Sequence, residues 1–201
     1  LSLHDALPIY GVFAQRYDVN GSAIGPEFQV NTQTPSDQHG HSLLGAAGLS
    51  TGGFVVAWDS YDQDGSLYGV YAQRYGADGQ PVGNEFLVNT ATNYHHQFQA
   101  QVLGLNGGAF VIAYTDYQNA DGDSYGVRVQ HYDAGGVAQG GPVTVNTYAA
   151  GNQSFPQLAK LNDGGYVVVW HSEGQDGSSW SVQAQLMNAN GTARGGEFQV
   201  N

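Results

Sequence analysis

The sequence predicts an all-β chain, a β-propeller-like array of four-stranded antiparallel blades, open, with three units and an N-terminal hairpin. Three observations point there. A cassette returns along the 201 residues: Phe54, Phe110 and Tyr166 are spaced 56 and 56 apart, and Asn31, Asn89, Asn146 and Asn201 are spaced 58, 57 and 55 apart. Such periods mark solenoids, propellers or arrays. Each cassette also carries two turns of the Gly-Gly, Asp-Gly or Asn-Gly kind between apolar runs, which is a hairpin signature. Finally, 30 Gly and 13 Tyr with only 11% charged residues describe an ordered, turn-rich chain rather than a disordered one.

Taken in order, residues 1–9 form a leader outside the pattern, with neither the repeat nor a positively charged signal-peptide start. Residues 10–31 read as half a repeat, its third and fourth strands, with strand three at Gly11–Tyr17. Repeats one to three follow at 32–89, 90–146 and 147–201. In each, a first strand is expected at Leu43–Leu49, Gln97–Leu105 and Phe155–Leu161. The turns Gly52-Gly53, Gly107-Gly108 and Gly164-Gly165 lead into the second strand. That strand is a nearly continuous apolar run: Phe54–Trp58, Phe110–Tyr114 and Tyr166–Trp170. Runs of β-branched and aromatic residues bounded by Gly suit a strand covered on both faces. The third strand is expected at Tyr68–Tyr75, Tyr125–Tyr132 and Trp180–Met187. A turn at Asp78-Gly79, Gly135-Gly136 or Asn190-Gly191 then gives a short fourth strand ending in Val-Asn.

Blades stack face to face, so their inner strands meet no water. An immunoglobulin-like sandwich needs about seven strands and ~100 residues per unit, roughly twice this period. The phase predicts a piece of a longer array whose neighbours are further repeats. It also predicts that the C-terminal blade bares one face and that the N-terminal hairpin frays or drives self-association.

Composition narrows function. Five basic residues against seventeen acidic ones give a net charge of −12. That balance excludes nucleic acid and anionic membranes as partners, since both need basic patches. The absence of Cys removes disulfides, thiolate metal sites and cysteine nucleophiles. No apolar run approaches the ~18 residues of a membrane helix, so no membrane insertion is expected.

The phrase Gly52-Gly53-Phe54-Val55-Val56-x-Trp58, with Gln63-Asp64-Gly65-Ser66-x-Tyr68-Gly69-Val70-Tyr71-Ala72-Gln73-Arg74-Tyr75, Asp78-Gly79 and Gly83-x-Glu85-Phe86-x-Val88-Asn89, resembles tandem repeats of large secreted bacterial proteins of the RTX-type calcium-binding and adhesin-like kind. The resemblance covers residues 10–201. It implies a non-catalytic extracellular or cell-surface module, a spacer or adhesive surface stiffened by calcium, and no enzyme. The Gly-Gly-x-Gly-x-Asp nonapeptide of that family is absent, so calcium binding is not carried over by motif.

The residues themselves offer several candidates. Asp59, Asp62 and Asp64, and Asp116, Asp121 and Asp123 in the next unit, form acidic loops whose oxygens suit Ca²⁺, whereas the third unit keeps only Glu173 and Asp176. Asp-Gly hairpin chemistry explains the same pattern without a metal. Asp176 and Trp180 miss the Asp-box spacing of sialidase-like propellers. Arg16 and Arg74 recur with the period, Arg128 lies on a strand and Arg194 in a turn, so no carboxylate-binding arginine cluster is expected. Gln15, Gln73, Gln130 and Gln185 are read as amides satisfying a neighbouring blade's backbone. Asn31, Asn89, Asn146 and Asn201 are read as Asx-type turn formers. His39, His41, His95 and His96 break the period on one rim, where imidazoles would suit a transition metal, but with no recognised ligand motif they are read as solvent-exposed loop histidines. The alternative function is a carbohydrate-binding or carbohydrate-active (sialidase-like) propeller, with a glycan stacked on the loop aromatics Tyr61, Tyr94, Tyr117 and Tyr148.

Overall fold

The computed structural model describes residues 11–34, 38, 44–65, 67–90, 95–117 and 124–201. Among the described residues fourteen strands form one two-stranded and three four-stranded sheets, all antiparallel and each in sequence order. The hairpin pairs β1 (Phe13–Ala14) with β2 (Phe28–Gln29). The first blade comprises β3 (Gly45–Gly48), β4 (Phe54–Tyr61), β5 (Tyr68–Tyr75) and β6 (Phe86–Leu87). The second comprises β7 (Gln97–Gly104), β8 (Phe110–Asp116), β9 (Gly126–Tyr132) and β10 (Val143–Thr144). The third comprises β11 (Gln153–Lys160), β12 (Tyr166–Glu173), β13 (Trp180–Met187) and β14 (Ala193–Gln199). The expected all-β blade architecture is therefore the observed one. The differences are local: β1 is only the centre of the expected strand, β11 begins two residues early, and β14 is longer than its counterparts.

The first strands lie side by side: β7 packs against β3 on one side and β11 on the other. The cores sit between blades. Val12 and Val30 of the hairpin meet Val56, Trp58, Tyr71 and Tyr75 of the first blade. Val55, Ala57, Val70 and Ala72 on its opposite face meet Phe110, Ile112 and Tyr114 of the second. Val111, Ala113, Val127 and Val129 then meet Tyr166, Val168 and Trp170 of the third. Side chains alternate across a strand, so each inner strand feeds two cores, which is why β4 and β8 read as unbroken apolar runs. In β12 the same sequence type alternates: Tyr166, Val168 and Trp170 are buried, whereas Val167 and Val169 are half-exposed. The reading of Tyr166–Trp170 as covered on both faces is corrected at Val167, because among the described residues no blade covers that face.

Recurring polar residues tie the blades together. The Arg16 guanidinium donates to the carbonyls of Ala77 and Asp78 at 2.8 and 2.6 Å, in the β5–β6 turn of the next blade. Arg74 does the same to Ala134 and Gly135. Turn glycines let the arginines in: a Cβ on Gly136 would lie 2.6 Å from Arg74 Nη1. The periodic glutamines act within their own blade rather than across to a neighbour. Gln73 Nε2 donates to the Arg74 and Gly83 carbonyls, and Gln130 to those of His131 and Gly140. The periodic asparagines are not Asx turns either. Asn31, Asn89, Asn146 and Asn201 each accept, at 2.8–2.9 Å, the backbone N–H nineteen residues earlier, at Val12, Val70, Val127 and Val182. A side-chain amide thus extends the ladder between the third and fourth strands by one rung.

Candidate functional site

One end of the array gathers the starts of the first and third strands and the ends of the second. Pairing register shows what is equivalent there. Asp59 opposes Val70, Thr115 opposes Val127 and His171 opposes Val182, so these three share a position. Asp116 opposes Gly126 as Ser60 opposes Gly69, so Asp116 is one step out of phase with Asp59.

The acidic residues read from sequence are consequently spread out. Asp59 is fully buried on β4, and its Oδ2 accepts the Gln99 N–H at 3.2 Å. Asp62 sits at φ 59° in its loop, where its N–H donates to the Leu67 carbonyl at 2.7 Å. Asp64 folds over Gly69. Asp116 pairs with Arg128 at 2.8 Å and accepts from Gln97 Nε2 at 2.9 Å. Asp121 and Asp123, like His39, His41, Tyr94 and the leader at 1–9, lie outside the described residues. Glu173 accepts from Asn152 Nδ2 at 2.7 Å, and Asp176 accepts the Ser178 N–H at 2.9 Å. Among the described residues no three His, Asp or Glu side chains are grouped to hold a metal ion.

What the structure does bring together is aromatic. Tyr61 and Tyr68 have ring centroids 5.0 Å apart, Tyr68 and His96 5.6 Å, and His96 and Tyr117 6.3 Å. The row continues through Tyr117–Tyr125 at 5.1 Å and Phe98–Tyr125 at 5.4 Å. Across the seam, Phe155 lies 5.6 Å from His171, which lies 6.5 Å from Trp180. Between the two rows runs a cleft of about 410 Å³, walled by Phe98, Tyr125, Phe155 and Trp180 and edged by Gln99, Ser154, Asn152 and His96. Trp180 is 47% exposed and Phe155 42%. A larger cleft of about 500 Å³, at the Arg16 turn, lies between hairpin and first blade and is edged by Pro26 and Pro81. Of its aromatic residues Tyr75 is buried and Phe28 half-buried, so it offers a ligand no exposed ring.

The floor of the aromatic cleft is built from strained backbone. Gln99 and Phe155 hold φ of 61° and 59°, and both sit where first strands slip register. Positive φ at non-glycine residues costs ~1–3 kcal/mol and persists only where the surroundings impose it. Here each bulge is held by the preceding blade. Asp59 accepts the Gln99 N–H, and Gln99 Oε1 accepts both the Phe155 N–H at 3.0 Å and Thr115 Oγ1 at 2.8 Å. The bulges are β-bulges in the usual sense of re-aiming side chains at a rim.

Sequence reasoning named Tyr61 and Tyr117 on this rim, and their rings are 39% and 40% exposed. It missed Phe155, counted only as a strand start, and Trp180, weighed only as a strand start and against the Asp-box spacing. Each heads an expected strand of mixed polar and apolar residues, so nothing within its own repeat sets it apart.

No protein-family model matches the chain, and no curated protein sequence matches it. Solved structures do. The GH93 α-L-arabinofuranosidase of Fusarium graminearum with arabinobiose superposes with a TM-score of 0.60 at 14% identity, over 87% of this chain and 55% of that one. The Penicillium chrysogenum α-L-arabinanase with arabinobiose gives 0.57 at 15% identity, over 94% and 67%. The endo-arabinase of Bacteroides thetaiotaomicron gives 0.53 at 13%, over 87% and 64%. At this identity the likeness is one of fold. The chain spans about half to two thirds of the length of these structures. They correct the resemblance to RTX-type adhesin repeats, and with it the expectations of a non-catalytic spacer and of no enzyme: the blades match those of glycoside hydrolases.

Proposed function

We propose that this chain is part of a carbohydrate-active propeller and that the cleft between its second and third blades holds a sugar ring. The observation that carries this is the pairing of aromatic rings, the exposed Trp180 and Phe155 on one side and the half-buried Tyr125 on the other, with amide and hydroxyl groups at the base. Apolar walls with a few placed polar groups are the general form of a small-molecule site. Glycoside hydrolase neighbours seen with arabinobiose support the ligand class. The arginines argue for a neutral sugar rather than a sialidase-like acidic one. Arg16 and Arg74 clasp turns, Arg128 pairs with Asp116, and Arg194 pairs with Asp163 at 2.6 Å. Glycosidic cleavage uses two carboxylates about 5–9.5 Å apart. Among the described residues that line this cleft there is no carboxylate, so its part in the proposal is to hold substrate.

Tryptophan fluorescence tests this, because Trp58 and Trp170 are buried while Trp180 is exposed. Titration with arabinobiose, xylobiose and soluble arabinan is expected to give a saturable change that Trp180→Ala removes, weakening binding about tenfold or more, or ~1.4 kcal/mol. Unchanged affinity in Trp180→Ala, measured by calorimetry, would overturn the assignment of this cleft.

A further inference from the structure

Gln99 is only 4% exposed, yet it borders the cleft. Its Oε1 accepts from the Phe155 N–H and from Thr115 Oγ1. A backbone N–H can only donate, so the atom facing it must be the carbonyl oxygen, which settles the usual ambiguity of an amide's orientation. The other arm is then the NH₂ group with two protons to give. Among the described residues it donates to none, whereas the periodic glutamines Gln73, Gln130 and Gln185 all spend theirs on carbonyls. Nε2 is not among the buried side-chain atoms that lack a partner, so it opens onto the cleft, where water or a ligand oxygen can accept from it.

The donor is also fixed in place. Gln99 backbone is held at φ 61° with its N–H on the buried Asp59 carboxylate, and its Oε1 is held from two sides. A preorganised donor loses little entropy when it binds. Among the described residues no Lys or Arg borders the cleft, Asp59 stands behind Gln99, and the chain carries a net charge of −12. That field disfavours carboxylate or sulfate groups on a ligand and leaves hydroxyl, ring and glycosidic oxygens as the fitting acceptors.

We propose that Gln99 is a specificity-determining residue that donates from Nε2 to a ring or glycosidic oxygen, which can only accept, of a neutral sugar stacked in this cleft. The proposal rests on the sugar-holding reading above.

Gln99→Glu separates it from a purely structural role. One carboxylate oxygen still accepts from Phe155 and Thr115, while the other offers the cleft an acceptor where a donor stood. Binding of arabinobiose, xylobiose and a galacturonate disaccharide is measured by calorimetry from pH 5 to 8 for wild type, Gln99→Glu and Trp180→Ala. Expected is neutral-sugar binding by wild type at every pH, with the galacturonate disaccharide rejected. Gln99→Glu should lose about tenfold or more at pH 8 and recover as acid protonates the carboxyl into an O–H donor. Simple misfolding would not reverse with acid. Wild-type affinity in Gln99→Glu at pH 8, or a loss that acid does not restore, overturns the role of Gln99, even while Trp180→Ala abolishes binding and the cleft stands. If wild type binds none of the three sugars, or Trp180→Ala binds them unchanged, the sugar-holding reading falls and this one with it.

Discussion

His131 stands where Arg16 and Arg74 stand in the preceding units, directly after the periodic glutamine. Instead of clasping a carbonyl pair, its Nε2 meets the Tyr166 hydroxyl at 2.8 Å, and its ring fills the space beneath Gly191. Burial holds its pKa below the ordinary imidazole value, and burial likewise pushes the Tyr166 phenol up. The neutral imidazole is therefore the native form. The unfolded chain binds the proton more readily, so the His131 contribution is present above the ordinary imidazole pKa and is lost as pH falls below it. Melting temperature should drop between pH 8 and pH 5, by less in His131→Asn; equal drops in both would contradict the assignment. Trp58 and Trp170 are buried to 0% and 1% exposure. Trp170→Ala should cost ~3–5 kcal/mol in denaturant titration.

At the scale of elements, two turns carry distinct loads. Gly53 takes φ of 82°, and a Cβ there would run into the Tyr75 carbonyl oxygen. Gly53→Ala should therefore destabilise by ~1–3 kcal/mol or more, because conformation and space both oppose it. The arginine clasp is exposed, so its worth is smaller. Arg74→Ala should cost ~1–2 kcal/mol for the loss of charge-assisted bonds to Ala134 and Gly135. Hydrogen exchange in the 133–138 turn should quicken with it, while the β7–β8 ladder keeps its protection. The second blade departs from its neighbours at the opposite end. Gln63 and Gln175 bridge to Glu85 and Glu197, which accept the Thr32 and Thr147 N–H groups. The second unit has Pro142 where those glutamates stand and uses the Asp116–Arg128 pair.

For the molecule as a whole, the same residue type at the same place in the repeat meets different surroundings. Val111 is fully buried between the second and third blades, while its counterpart Val167 lies on the half-exposed face of the third. Val111→Lys should abolish cooperative folding, since an unpaired buried charge costs more than ~4 kcal/mol. Val167→Lys should be tolerated in this chain, with little change in midpoint. At the other end, the hairpin is held through Val12 and Val30 against Trp58, so Val12→Ala should raise exchange in β1 and β2 before it affects the third blade. Uniform loss across all blades would contradict packing that is pairwise between neighbours.

The period, the Gly-bounded apolar runs and the paired turn glycines determined the blades, because backbone hydrogen bonding and strand alternation are local and repeat wherever the residues repeat. Fold class and the burial of Trp58, Tyr114 and Trp170 were legible for that reason. The work of Asn89 or Gln73 was legible only as recurrence, since their partners lie nineteen or ten residues away across a sheet. The acidic loops drew attention in the sequence, but register puts Asp59 and Asp116 at different steps and turns each toward a structural partner. The cleft belongs to tertiary structure alone. Phe98 with Tyr125 and Phe155 with Trp180 come from two separate repeats, and Gln99 becomes a free donor only because Thr115 and the neighbouring blade's Phe155 occupy its oxygen. A site that forms between repeated units leaves no pattern within either one.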